Sequence, residues 1–180
     1  GRDILSRVVF GLRTSLWIGG ISVAGSTVVG AVVGLVAGYR GGWLDALLMR
    51  CLDALLAFPS LLLAIGVAAI LGPGAVSTAL ALGIVGIPQM ARIVRAGSLG
   101  EVQMQYVEAA RSIGSPAPMI LFRHLLPNLL HLIVVQMVLF FVVAVLTEAS
   151  LSFLGLGIQV PLPSLGSMLK EARDYLREAP

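Results

Sequence analysis

The sequence predicts an all-α, polytopic helical membrane protein, and two observations support that prediction. Of the 180 residues, 58% are hydrophobic and only 12% are charged, which is about half the charged fraction of a soluble domain. The charges are also segregated, since no Asp, Glu, Lys or Arg occurs in residues 14–39, 54–91 and 124–147. A soluble domain of this size would not withdraw charge from so much of its surface.

The uncharged stretches predict four transmembrane helices, near residues 15–39, 52–71, 75–92 and 127–148. A hydrocarbon core of ~30 Å needs about 20 apolar residues in helical conformation. The 54–91 stretch is roughly twice that length, and Leu71-Gly72-Pro73-Gly74 divides it because two glycines and a proline favour a turn. Pro59 lies inside the second predicted span, where we expect it to kink the helix.

The arginines predict the orientation of these spans. Arg40 and Arg50 flank the link between spans one and two, and the link between spans three and four carries Arg92, Arg95, Arg111 and Arg123. The turn at residues 72–74 has no charge. By the positive-inside rule both arginine-containing links are cytoplasmic. The N-terminal arginines then lie outside, against the tendency of the rule.

The residue types exclude several kinds of chemistry. The single cysteine, Cys51, excludes an internal disulfide and a cysteine-only metal cluster. No Gly-x-x-x-x-Gly-Lys-Ser/Thr loop is present to hold ATP, and no serine stands in a Gly-x-Ser-x-Gly setting. His124 and His131 have no metal-ligand spacing to a carboxylate. We therefore predict no catalytic residue, no metal and no cofactor, and the dispersed arginines predict no nucleic-acid partner.

An ion-coupled secondary transporter or a channel subunit stays open as an alternative. Such a protein requires charge deep in the bilayer, and Glu148 is the only acidic candidate on span four. We expect that carboxylate at the outer membrane interface. Span one also carries Gly30, Gly34 and Gly38, four residues apart on one helix face. Ladders of small residues let helix backbones approach closely, so this face is predicted to pack on another helix, in the subunit or across a dimer.

The polar segment between spans three and four predicts a helix–turn–helix at the cytoplasmic membrane face. Residues 101–114 contain no helix breaker before Gly114, which suits the left-handed conformation of a helix C-terminus. Ser115 and Pro116 are a favourable cap and first residue for a second short helix over 117–124. Pro127 is then expected to open span four. By spacing alone this segment, which we call the 101–127 loop, is a surface helical hairpin.

The loop also matches a known motif. Glu108-Ala109-Ala110, Gly114 and Leu126-Pro127 have the spacing of the EAA loop, and the chain resembles the membrane subunits of binding-protein-dependent ABC importers. His124 replaces the isoleucine of the general pattern, as is common in the dipeptide/oligopeptide branch. Residues 1–7, 38–46 and 148–157 are similar to the same branch, so the likeness covers nearly the whole chain. It is greatest to the second of the two permeases that such importers pair.

The resemblance implies the fold of a type I ABC importer permease. Residues 1–180 would form a single transmembrane permease domain truncated at both ends, with six spans in the full-length protein. The 101–127 loop would be the cytoplasmic coupling loop that contacts the ATPase. Its expected contact residues are Tyr106, Glu108, Ala109, Ala110, Arg111, Gly114, Leu126 and Pro127.

The resemblance also implies an activity and a set of partners. The subunit would move dipeptides, oligopeptides or a related solute, such as a nickel chelate or glutathione, by alternating access. Its partners would be a second, different permease, two cytoplasmic ATP-binding subunits, an external solute-binding protein and membrane lipid. The expected location is the inner or cell membrane of a bacterium or archaeon.

Overall fold

The computed structural model describes residues 4–158 and 163–178, and all regular structure in those ranges is helical. The predicted all-α class is therefore confirmed. The remaining residues of the predicted 1–180 domain lie outside the described part of the chain. The elements are α1 Ile4–Arg40, α2 Gly42–Leu56, α3 Ser60–Leu71, α4 Ala75–Glu101, α5 Gln105–Ser112, α6 Ala117–Met119, a π-helical segment Ile120–Leu125, α7 Leu126–Phe153 and α8 Leu165–Glu178.

Three helical runs in the described residues are long and apolar enough to cross a membrane: Ile4–Arg40, Ala75–Glu101 and Ala117–Phe153. A fourth span is present if α2 and α3 are counted together as one broken span. Apolar side chains that are exposed along α7 fit contact with lipid rather than water, and they include Val134, Val135, Val138, Leu139, Val142, Val143 and Leu146. The chain is a polytopic membrane protein.

The prediction of a continuous helix for the second span was wrong. We expected one kinked helix over 52–71, but α2 ends at Leu56 and α3 begins at Ser60. Pro59 has an extended ψ of 131° and directly precedes α3. Because proline donates no backbone hydrogen bond and disfavours helical geometry in the preceding residue, the chain breaks here instead of bending. The helices that contain the first and third predicted spans extend beyond them, since α1 begins at Ile4 and α4 continues to Glu101.

The chain divides into two compact units. The first comprises Gly1–Ala24, Phe58–Val85 and Phe140–Pro180. Its apolar core contains Ile18, Ala64, Leu82, Val85, Leu151 and Ile158. In this unit α8 is tied to the beginning of α1 by an ion pair of 2.8 Å between Arg7 Nη2 and Glu171 Oε2.

Glu148 also belongs to the first unit, and it lies inside the protein. Its side chain is fully buried. The Ser152 hydroxyl donates to Glu148 Oε1 at 2.7 Å and accepts from the Ile158 backbone N–H at 3.3 Å. Glu148 therefore positions Ser152, whose hydroxyl holds the turn that follows α7, while Glu148 Oε2 is buried with no hydrogen-bond partner among the described residues.

The second unit comprises Gly25–Ala57 and Gly86–Leu139. Here α1 lies against α4 along the glycine ladder. A Cβ built on Gly30 would lie 2.7 Å from Met90 Cβ, one on Gly34 would lie 2.5 Å from Ala91 O, and one on Gly38 would lie 2.5 Å from Ser98 Cβ. Real Cβ atoms do not approach other atoms so closely, so only glycine permits this helix separation.

Two ion pairs hold α2 against α4 in the second unit. Asp45 accepts two hydrogen bonds from Arg95, of 2.5 Å from Nε and 2.6 Å from Nη2. Asp53 accepts one from Arg92 Nη2, at 2.5 Å. The pairs differ in exposure: the Asp45 side chain is 13% exposed, whereas that of Asp53 is 51% exposed. They should therefore differ in their contribution to stability.

We expect Asp45→Asn to destabilise the full-length protein more than Asp53→Asn. The first change removes half of a two-pronged, largely shielded interaction and should cost about 1–3 kcal/mol. The second affects a half-exposed pair and should cost about 0–1 kcal/mol. Thermal unfolding of both purified variants, measured under the same detergent conditions, checks the difference. Equal losses for the two variants would contradict the assignment of Asp45–Arg95 as the principal link between α2 and α4.

Candidate functional site

The 101–127 loop is built around α5, which is closed at its C-terminus by a glycine turn. Gly114 has a φ of +76°. Its N–H donates to Arg111 O at 2.9 Å, and the Ser115 N–H donates to Ala110 O at 3.0 Å. These two bonds form a Schellman motif, which satisfies carbonyls at the end of a helix. The predicted turn is therefore present at Gly114.

One face of α5 anchors the loop in the second unit. Val107 is fully buried and Ala110 is 5% exposed. Both belong to the core of that unit, together with apolar residues of α1, α4, α7 and the π-helical segment. Glu108 and Ala109 are exposed on α5, and Ile113 beside the turn is 82% exposed. The loop thus combines a fixed inner face with a protruding outer face that carries both charge and apolar surface.

The second short helix of the loop is not separate, contrary to the prediction. Residues Ala117–Phe153 form one continuous helical run, whose segment Ile120–Leu125 is π-helical. Pro127 has no N–H, and its ring would crowd the carbonyl of Arg123 in an α-helix. The chain widens before that residue, so the Leu126 N–H donates to Leu121 O, five residues earlier. Such π-bulges relieve a local conflict without ending the helix.

Tyr106 is the centre of a polar network that joins α5 to two neighbouring helices. Its hydroxyl donates to Glu101 Oε2 at the end of α4, at 2.5 Å, and accepts from Asn128 Nδ2 on α7, at 2.9 Å. Asn128 Nδ2 also donates to His124 O, at 3.0 Å. Burial, with the hydrogen bond to Glu101, raises the pKa of the Tyr106 phenol. The phenol, which is protonated at neutral pH even without this shift, therefore remains a donor to higher pH.

Arg111 links α5 to the end of α1. Its guanidinium carbon lies 4.9 Å from the centre of the Tyr39 ring, a cation–π contact. Together with Tyr106, this residue connects the loop to α1, α4 and α7 within one unit. A displacement of α5 would consequently act on the ends of three helices that have membrane-spanning length.

The structure brings together some of the predicted coupling residues and leaves others apart. Tyr106 and Arg111 make the contacts described above, Ala110 is buried, and Leu126 packs against the core. Glu108, Ala109, Gly114 and Pro127 are exposed. The contributions of Tyr39, Glu101 and Asn128 were missed. The only sequence signal for Asn128 was its i, i+4 spacing from His124, which is ordinary in a helix.

The comparisons with known proteins identify the family of the chain. Residues 30–174 match the model of the family described as "Binding-protein-dependent transport system inner membrane component". The chain belongs to this family. The matched range contains the 101–127 loop together with α4 before it and α7 after it.

Three relatives illustrate the branch of the family. The chain is 44% identical over 180 residues to the dipeptide transport system permease protein DppC of Alkalihalophilus pseudofirmus, covering 100% of the chain and 59% of that relative. It is 47% identical over 180 residues to the glutathione transport system permease protein GsiD of Pectobacterium atrosepticum, covering 100% of the chain and 60% of that relative. It is 45% identical over 179 residues to the di/tripeptide transport system permease protein DppC of Pseudomonas aeruginosa, covering 99% of the chain and 59% of that relative. The chain thus spans about three fifths of the length of these relatives.

Proposed function

We propose that this chain is part of a permease subunit of an ATP-driven importer, in which the 101–127 loop receives an ATP-binding subunit. The construction of the loop carries this proposal. Val107 and Ala110 fix α5 from within, so that Glu108, Ala109 and Ile113 are presented outward. An exposed apolar side chain beside a carboxylate on a rigid helix suits insertion into a groove of a partner protein.

The network around Tyr106 suggests how ATP binding would reach the membrane helices. The chain lacks a phosphate-binding loop of its own, so the free energy must arrive through contact with the ATP-binding partner. A push on α5 would be transmitted through Glu101 to α4, through Asn128 to α7, and through Arg111 to α1. Helices moved together in this way would alternate the pathway between its inward-facing and outward-facing states.

We place the 101–127 loop on the cytoplasmic side of a bacterial or archaeal cell membrane. The contact of Arg111 with Tyr39 puts the loop at the same end of its unit as the junction between α1 and α2. Arg40 and Arg50 lie at that junction, and Arg111 and Arg123 lie in the loop. A concentration of arginines at one end of the spans favours the cytoplasmic side.

We assign short peptides as the transported solutes. The relatives that support this assignment are named for dipeptide, di/tripeptide and glutathione transport, and glutathione is itself a tripeptide. The complete importer would contain a second, different permease, two ATP-binding subunits and an external solute-binding protein, in accordance with the binding-protein dependence of the family. The ATP-binding subunits, rather than this chain, would perform hydrolysis.

The proposal is tested by a single substitution in the outward face of α5. The full-length permease, its paired permease and the ATP-binding subunits are purified together from membranes, as wild type and as Ala109→Arg. Ala109 is exposed, so the arginine should spare the fold and obstruct docking. We expect the amount of ATP-binding subunit recovered with the variant to fall at least about tenfold, which corresponds to about 1.4 kcal/mol.

The matched control is Ala46→Arg, the same change at an exposed helical alanine of α2. It should retain the ATP-binding subunits at the wild-type level. Full recovery with Ala109→Arg would contradict docking at α5. If solute uptake persisted in vesicles without ATP, the ATP-driven importer would be contradicted and an ion-coupled secondary transporter or a channel would be favoured.

A further inference from the structure

In the second unit, α2 has an exposed face that none of the described contacts explains. This exposed face of α2 comprises Trp43, Leu47, Arg50, Cys51 and Ala54, which recur at helical spacing. Trp43 is 77% exposed and Leu47 is 51% exposed. The opposite side of the helix buries Leu52 and directs Asp45 to Arg95. The helix is thus fixed on one side and open on the other.

The charges around this face are unbalanced. Both carboxylates of α2 are taken by arginines of α4, Asp45 by Arg95 and Asp53 by Arg92. Among the described residues, no ion pair is formed by Arg50 or by Arg40, which immediately precedes the junction with α2. The exposed face therefore carries an arginine and a tryptophan on one side of the helix, and that arginine has no ion-pair partner among the described residues.

The dimensions of α2 and α3 argue that α2 lies at the membrane interface. A 15-residue helix is about 22 Å long, and a 12-residue helix is about 18 Å long. Each alone falls short of the ~30 Å hydrocarbon core, so α2 enters that core only as part of the broken span that it forms with α3. An arginine at the middle of that core would also cost about 2.5–3.5 kcal/mol or more. An interfacial position for α2 avoids this cost because Arg50 then reaches the headgroups.

We propose that the exposed face of α2 binds the headgroups of anionic phospholipids, with Arg40 and Arg50 contacting the phosphates and Trp43 and Leu47 entering the acyl boundary. Tryptophan is enriched at the level of the headgroups, and interfacial helices combine such apolar groups with basic ones. The two unneutralised arginines supply the charge complementarity that selects an anionic lipid over a zwitterionic one. This proposal requires only that the chain lies in a membrane and does not depend on the transport activity.

Cys51 offers a direct probe, since it is the one cysteine of the chain and is exposed on α2. The full-length permease is assembled with its partners, any cysteines elsewhere in the assembly are replaced by serine, and Cys51 is labelled with an environment-sensitive fluorophore. The labelled assembly is placed in phosphatidylcholine nanodiscs that contain equal fractions of brominated phosphatidylglycerol or brominated phosphatidylcholine. We expect brominated phosphatidylglycerol to quench the label more strongly.

The arginine variants decide whether charge causes that preference. One arginine near an anionic surface contributes about a fivefold preference, so Arg40→Gln and Arg50→Gln should each lower the selectivity about fivefold. Arg50→Lys keeps the charge and should retain the selectivity. Arg13→Gln, a change at an exposed arginine of α1 in the first unit, is the matched control and should leave it unchanged.

Three results would overturn the proposal. Equal quenching by the two brominated lipids would remove the selection for anionic headgroups. Quenching by neither lipid would place the exposed face of α2 in water. A cross-link formed by Cys51 to the paired permease or to an ATP-binding subunit, with loss of lipid quenching in the complete assembly, would assign the face to a protein partner.

Discussion

Gly34→Ala is expected to destabilise the full-length protein by about 1–3 kcal/mol, although alanine is ordinarily the better residue in a helix. The added Cβ would lie 2.5 Å from Ala91 O and 2.9 Å from the Arg95 backbone nitrogen. Both are backbone atoms of α4, which cannot rotate aside as the end of a long side chain can. The two helices would have to separate, and that movement would loosen the packing between them at Leu35 and Val94.

The matched control for this prediction is Gly25→Ala in the same helix. A Cβ on Gly25 would meet nothing within 4 Å, so this variant should be as stable as the wild type or more stable by up to about 1 kcal/mol. Thermal unfolding of the three purified proteins, in one detergent and at one concentration, gives the comparison. If Gly34→Ala melted at the wild-type temperature, the close approach of α1 to α4 would be disproved.

The features that depend on local composition and spacing were predictable from the sequence. Long runs without charge located α1, α4 and α7, because lipid-facing helices exclude charge wherever they occur in the chain. The turn at Gly114 was also predictable, since a glycine that follows a helix-competent segment favours the left-handed C-terminal conformation. Each of these features is governed by residues close together in the sequence.

Pro59, Pro88 and Pro127 show why the rest was not predictable from the sequence. Pro59 separates α2 from α3, Pro88 is buried inside the continuous helix α4, and Pro127 follows a π-helical segment. The same missing N–H has three different consequences, because neighbouring helices determine whether the freed carbonyl is covered. A single sequence does not specify those neighbours, and so the broken second span was predicted as a kinked one.

The polar contacts of the candidate site were hidden for a related reason. Tyr106 and Asn128 are 22 residues apart and meet only after the chain has turned at Gly114 and begun α7. Arg95 and Asp45 are 50 residues apart. The arginines were read as orientation signals by the positive-inside rule, which counts charge and does not assign partners. The motif located the loop, whereas the structure supplied the residues that tie it to the membrane helices.

Gly114→Val is expected to reduce ATP-driven uptake by about 5- to 30-fold while Gly114→Asn retains most of it. A side chain in the left-handed region costs about 1–2 kcal/mol, and a β-branched residue is especially unfavourable there. The φ of Gly114 is +76° and a Cβ there would meet nothing within 4 Å. The penalty therefore arises from the backbone and not from a clash with neighbours. Asparagine tolerates this conformation and offers the matched control.

The physical consequence of the valine is a change in the turn that orients α5. To escape the positive φ, the chain must give up the bonds from the Gly114 and Ser115 N–H groups to Arg111 O and Ala110 O. The outward face of α5 would then be misaligned with its partner, although Val107 and Ala110 could still anchor the helix. Uptake and retained ATP-binding subunit are measured in reconstituted vesicles at equal permease levels. If Gly114→Val kept wild-type uptake and wild-type retention of the ATP-binding subunit, the rigid turn would not be needed for coupling. If Gly114→Asn also lost uptake and retention, the position would tolerate no side chain, even one that accepts a positive φ.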